Sequence, residues 1–244
     1  MDETGWLKQG QHSVGVSHQY CGAVGKQANC QVSVELAVSD GRVAAPLGGR
    51  LYLPQSWTQD REGCARVGVP EEVGFRSKPE LGLELIRQAR EDGVPPAPVW
   101  GDCVYGDSPE FREGVRQLGM EFFLQVSGRH KAWTHPVPTE AQRVRRYVAA
   151  GAPPAQTLAE IAARFPAEQW KGCSWRAADG QTRRTRLAWC WLGVRSICST
   201  SCGKAMMIWN ECGWWWTGPR ARLSLITTLW PIFISRLAGL AACD

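Results

Sequence analysis

A chain of 244 residues with 44% hydrophobic and 21% charged side chains has the apolar content for one large domain or two small ones, which excludes wholesale disorder. Its 28 Lys and Arg against 23 Asp and Glu give a net charge of +5, which permits a nucleic-acid partner without demanding one. Residues 170–244 hold nine of the 13 Trp and six of the 10 Cys, yet only two acids follow Trp191, so the composition changes near residue 190.

The opening MDETGWLKQGQHSVG carries acids straight after the start and no apolar stretch of signal-peptide length, which points to the cytoplasm. QVSVELAV, residues 31–38, alternates Val32, Val34, Leu36 and Val38 against Gln31, Ser33, Glu35 and Ala37, the period of a half-buried strand. A second short strand is expected at Arg50–Leu53. The polar, Gly-rich run between Trp57 and Phe75 reads as a surface excursion and not as core. Pro79 suits a first helical turn, and Leu81, Leu85, Ile86 and Ala89 make one apolar stripe that ends by Gly93. VPPAPVWGD then feeds a short apolar run, Val99 and Trp100, which delivers Asp102 to a strand end. Ser108 and Pro109 form an N-cap and first turn for a helix through Phe111, Val115 and Leu118, stopped at Gly119, and EFFLQVS is a further strand. Strand, helix, strand, helix, strand is the order of an α/β layered sheet, whose ligands sit at the strand carboxyl ends.

From Gly128 to Pro154 the chain is irregular and basic, with Arg129, Lys131, Arg143, Arg145 and Arg146, before a helix at Leu158–Phe165. These charges suit a solvated loop and would equally contact DNA phosphates. Cys198 and Cys202 have no His beyond His135 to complete a zinc set and read as incidental thiols. Leu223–Ala242 resembles a membrane span, but Pro231 and Arg236 break the run of about 20 apolar residues that a crossing helix needs.

Two carboxylates stand out by placement: Asp2 in MDETG and Asp102 in VWGDCVYGD. Two Asp on neighbouring strand ends can hold Mg²⁺, which takes one or two protein carboxylates and fills its octahedron with water and phosphate oxygens. The same residues also read as a terminal acid and as a turn acid capping the loop before Tyr105 and Gly106. Asp107, followed by Ser108 and Pro109, reads as loop chemistry leading into a helix.

DETGWLKQGQHSVGVSHQYCGAVGKQANCQVSVELAV closely resembles the opening catalytic block of bacterial insertion-sequence transposases of the DDE class. RLYLPQSW, GVPEEVGFRSKPELGLELI and VWGDCVYGD follow in that family's order and at similar spacing, over about residues 1–190. The resemblance implies a DDE superfamily endonuclease domain: an α/β, ribonuclease-H-like mixed sheet with flanking helices. Such domains cut DNA at element ends and join it to a target, with Asp, Asp and Glu holding two Mg²⁺. It makes Asp2 the first catalytic and metal-binding acid and Asp102 the second, with DNA and intact transposase subunits as partners. Trp6 stands where the family usually has Phe, Gln9 where a second Lys is common, and Gly101, Cys103 and Val104 replace other small residues. It also implies that the first strand and a DNA-binding region precede Asp2, so that a strand cut to its last residue is expected not to pair normally.

The family's later Trp-Leu-x-x-Glu-Trp-Pro-like strand, and the helix with its third acid, have no counterpart after Trp191; Glu211 is the only Glu there, in an unrelated context. Trp and Met have single codons, so Trp214-Trp215-Trp216-Thr217 is TGG TGG TGG ACN, which reads Val-Val-Asp when two nucleotides are discarded. Discarding one instead creates a stop across Met206-Met207. With permitted codons chosen elsewhere, the open register reads Val-Trp-Leu-Val-Val-Asp-Trp-Pro, like the missing strand. The expected organisation is a partial catalytic domain at 1–190 and an aberrant, out-of-frame and irregular tail at 191–244. The expected function is that of an inactive transposase remnant. The alternatives are a non-catalytic DNA-binding or interfering fragment, and a membrane-attached protein.

Overall fold

The computed structural model describes residues 1–40, 43–134, 146, 148–176, 182–193, 204–210 and 213–217, in two compact units that divide at Pro95/Pro96. The first unit is built on an antiparallel sheet of β1 (Asp2–Leu7), β2 (Ser17–Cys21), β3 (Lys26–Ser39) and β4 (Ala44–Leu51). β3 is its axis, because β1 pairs with Cys30–Glu35, β2 with Lys26–Cys30 and β4 with Ser33–Ser39. A strand has two edges. Residues 33–35 serve both β1 and β4, and Cys30 serves both β1 and β2, so β2 and β4 follow one another along the edge opposite β1.

Alternation on β3 buries Cys30, Val32 and Val34 as the sequence period predicts, but Val38 is exposed. The register with β4 shifts between Leu36 and Ala37, where β4 carries Leu47 as an extra residue, and Val38 lies beyond that bulge near the end of the strand. α3 (Lys78–Glu91) lies on β3 and β4 and buries Leu81, Leu83, Leu85, Ile86 and Ala89, each large side chain worth about 2 kcal/mol. Ser77 and Glu80 close a full capping box at its start, with Pro79 in the first turn, and Gly93 follows its end with a positive φ of 85°.

Residues 57–75 lie mostly at the surface, as expected, but the corner at 55–66 is helical, with α1 (Gln55–Gln59) and α2 (Arg61–Arg66) burying Thr58 and Cys64. The Trp57 indole N–H donates to the Val16 carbonyl at 2.7 Å, and the Asp60 side chain caps α2 through Gly63 N. Polar residues spent on caps and anchors read as loop composition while holding a packed corner.

The second unit carries β5 (Val99–Gly101), parallel to β6 (Phe122–Val126), in a six-stranded sheet of order β5-β6-β12-β11-β10-β9. The further strands are β9 (Lys171–Arg176), β10 (Thr182–Gly193), β11 (Lys204–Asn210) and β12 (Gly213–Thr217), all antiparallel to their neighbours. Between β5 and β6 lie the one-turn α4 (Cys103–Gly106) and α5 (Pro109–Gln117), the latter capped by Ser108. Parallel β5 and β6 joined across helices are the α/β pattern expected of this stretch.

β7 (Lys131–Ala132), inside the run expected to be irregular, pairs with β8 (Gln156–Thr157), just beyond it. α6 (Leu158–Ala162) stops short of the expected Phe165, because Phe165 precedes Pro166 and is driven out of helical geometry. The tail was expected to be irregular, yet residues 204–210 and 213–217 are strands, with β12 along the edge of β6. Ladder hydrogen bonds are made by backbone, and MMIW and GWWW are rich in strand-favouring residues whatever register encoded them.

Among the described residues no helix is long and apolar enough to cross a membrane. Leu223–Ala242, Cys198, Cys202, His135, Glu211, Arg143 and Arg145 lie outside the described residues.

Candidate active site

Asp2 opens β1 instead of ending a truncated strand, and all six residues from Asp2 to Leu7 pair with β3. Gly5 is required within β1 because a Cβ there would lie 2.6 Å from the Cys21 sulfur. The Asp2 carboxylate is exposed, and its Oδ1 accepts from the Glu3 backbone N–H at 2.8 Å. Across the ladder its partner is Glu35, so two carboxylates stand directly opposite each other on one sheet face, an arrangement that repels unless a cation or a donor intervenes. A donor is present: Ser33 Oγ donates to Glu35 Oε1 at 2.7 Å and accepts from the Trp6 indole at 3.2 Å. Phe at residue 6 could not make that bond, so the Trp6 departure adds a polar link to the Ser33–Glu35 pair.

Glu3 faces the other way, and the sequence reading passed over it. Its carboxylate pairs with Lys78 at 2.5 Å, both side chains being mostly buried at 15% and 19% exposure. The Lys78 ammonium lies 5.4 Å from the Tyr52 ring centroid, a cation–π contact. Burial, and then the Glu3 charge, push the Tyr52 hydroxyl above its ordinary range. Glu3, Tyr52 and Lys78 come from DETG, RLYLP and FRSKPELG, three separate stretches that carry the family resemblance. Their joint recurrence was the available signal for this cluster.

In the second unit Asp102 directly follows β5, where the sequence places it. Its Oδ1 accepts from Val104 N at 3.0 Å, so the side chain caps α4 and is half-buried. The turn-acid reading is thus met in the geometry, and it is compatible with a ligand role because a cap fixes the carboxylate's direction. Asp107 is engaged elsewhere: its Oδ1 accepts from Ser127 N at 3.0 Å and lies 3.7 Å from His130 Nδ1. Arg112 is buried at 5% exposure and donates to the Gly106 carbonyl. Burial, then the Arg112 charge, hold His130 below its usual range, with Asp107 opposing them.

Each acid therefore has its own surroundings, Asp2 opposite Glu35 in the first unit and Asp102 above α4 in the second. Among the described residues no group of three His, Cys, Asp or Glu side chains gathers into a metal-binding cluster.

The family model described as DDE superfamily endonuclease matches residues 1–184. A curated relative, the probable transposase for insertion sequence element IS701 of Microchaete diplosiphon, is 27% identical over 131 residues, covering 53% of this chain. The chain spans about a third of that relative's length, 32%.

Proposed function

The chain belongs to the DDE superfamily endonucleases, and we propose that it derives from the transposase of an insertion sequence and no longer cuts DNA itself. The family match over residues 1–184 carries the first half of this reading, and the similarity to the transposase for element IS701 supports it. Endonucleases of this family are metal-dependent. The ion proposed is Mg²⁺, with Asp2 and Asp102 as first and second ligands and the bacterial cytoplasm as the compartment.

The family's third acid finds no counterpart after Trp191 in this sequence. An in-line displacement at phosphorus needs charge stabilisation on both the attacking and the leaving oxygen, and with two of the family's three carboxylates the metal occupancy that would supply it is compromised. The chain's later residues support inactivity: the family match ends at residue 184, shortly before the change of composition, and Glu211 is the only Glu beyond Trp191. A shifted reading frame accounts for both, with residues 191–244 as an out-of-frame segment.

Purified protein with Mg²⁺ and element-end DNA is expected to leave the DNA intact; nicking that Asp102→Ala abolishes would overturn the proposal. Genomic sequence across codons 206–228 tests the frame, because stops or unrelated residues in the two-nucleotide-shifted register would end that explanation.

One observation favours a second reading, a non-catalytic DNA-binding fragment able to interfere with intact subunits. Arg129, Lys131 and Arg146 are all exposed in the second unit. Retention on DNA that weakens steeply with salt, without cleavage, would support it.

A further inference from the structure

The turn that follows Asp102 is tied down at points remote from the acid itself. Asp102 caps the start of α4 through Val104 N. At the other end, Gly106 lies so close to β6 that a Cβ there would overlap the Gln125 carbonyl oxygen. The Gly106 carbonyl accepts a hydrogen bond from Arg112, whose guanidinium sits inside the unit at 5% exposure. One residue further, Asp107 ties the chain to the end of β6 through Ser127 N at 3.0 Å.

A guanidinium is costly to bury, and its fixed fork of donors is kept inside where a particular acceptor geometry needs it. Burial lowers Arg112 to about 10, so it remains charged at neutral pH. The last carbonyls of a helical turn have no donor within the helix. Arg112 supplies one at Gly106, so α4 cannot turn about Asp102 without giving up that bond.

We propose that Arg112 is a positioning residue for Asp102: by holding the Gly106 carbonyl it fixes α4, and through α4 the direction of the Asp102 carboxylate. This deepens the reading of Asp102 as the family's second acid and rests on it. Arg112 does not touch the reacting atoms; its effect passes through the turn.

Hydrogen exchange followed by mass spectrometry on the full chain tests this, comparing the peptide covering residues 100–108 with one covering β6. Arg112→Met is expected to speed exchange in the first peptide by about tenfold while β6 stays as in the wild type, the pattern of local opening. Arg112→Lys, which keeps one donor, is expected to recover part of the protection. Unchanged exchange at 100–108, or equal acceleration in both peptides, overturns the proposal. If the Met variant does not fold, the Lys variant decides: intermediate exchange confined to 100–108 supports the proposal, and wild-type exchange overturns it.

Repeating the measurement with Mn²⁺ separates the two readings. Mn²⁺ should slow exchange at 100–108 in the wild type but not in Asp102→Asn, and Arg112→Met should need several-fold more Mn²⁺ for the same protection. If Mn²⁺ has no effect on the wild type, Asp102 is not a metal ligand in this chain, and the metal-free contrast still decides the role of Arg112.

Discussion

Glu3 and Lys78 form the most buried ion pair among the described residues, and one Glu3 oxygen, Oε1, is buried without a hydrogen-bond donor. Removing the ammonium alone would strand a carboxylate with little water to receive it. Lys78→Met is therefore expected to cost about 3 kcal/mol, read as a lower urea midpoint. Adding Glu3→Gln removes the stranded charge and should recover most of the loss; a double variant as unstable as the single one would contradict this account. His130 makes a pH prediction. Its folded-state pKa lies below its ordinary 6.5 because of burial first and Arg112 second, so the unfolded chain binds more protons as pH falls below 6.5. Stability that is full above that pH is expected to fall through the window beneath it. His130→Gln should flatten the slope of thermal midpoint against pH between about 6.5 and 5. Glu80 acts lower down: Ser77 holds its pKa below the usual 4.5, so its contribution is present above 4.5 and lost on further acidification.

At the scale of elements, α3 shows how far local rules reach. Ser77, Pro79 and Glu80 specify its start, the apolar stripe specifies its buried face, and each is present in the sequence in the helical order. Ser77→Ala removes the hydroxyl half of the capping box, the acceptor for Glu80 N, while the backbone N–H of residue 77 still donates to the Glu80 carboxylate; it is expected to cost about 1 kcal/mol in chemical denaturation. An unchanged midpoint would show that packing of the apolar face alone fixes the start of the helix. β1 shows where local rules stop. DETGWL has neither clean alternation nor a strong strand composition; it becomes a strand because β3 offers a matching edge and Cys21 fills the space left by Gly5. The helices at 55–66 escaped for a related reason: their short lengths give no periodicity, and the caps and the Trp57 anchor that hold them reach to residues distant in sequence.

For the molecule as a whole, the tail raises the sharpest issue. β12 covers the edge of β6 from Phe123 to Val126 through backbone pairing that any strand-forming sequence can make. A chain ended after Gly193 would lose both β11 and β12, leaving that edge open. Faster amide exchange along Phe123–Val126, with a greater tendency to associate on size-exclusion chromatography, is expected of it. If exchange there is unchanged, the tail strands do not hold that edge in solution.

The sequence by itself determined the family, the α/β alternation from Val99 to Val126, helix α3 with Pro79 in its first turn and its end by Gly93, and the place of Asp102 after a strand. All of these rest on local periodicity, capping and ordered motifs, which act over a few residues and can be read in line. The tertiary structure decided which residues surround the acids: Glu35 opposite Asp2, Lys78 and Tyr52 around Glu3, and Arg112 behind the Asp102 turn. These depend on strand register, close approach at Gly5 and Gly106, and burial of charge, and such properties arise only when segments far apart in the chain are brought into contact.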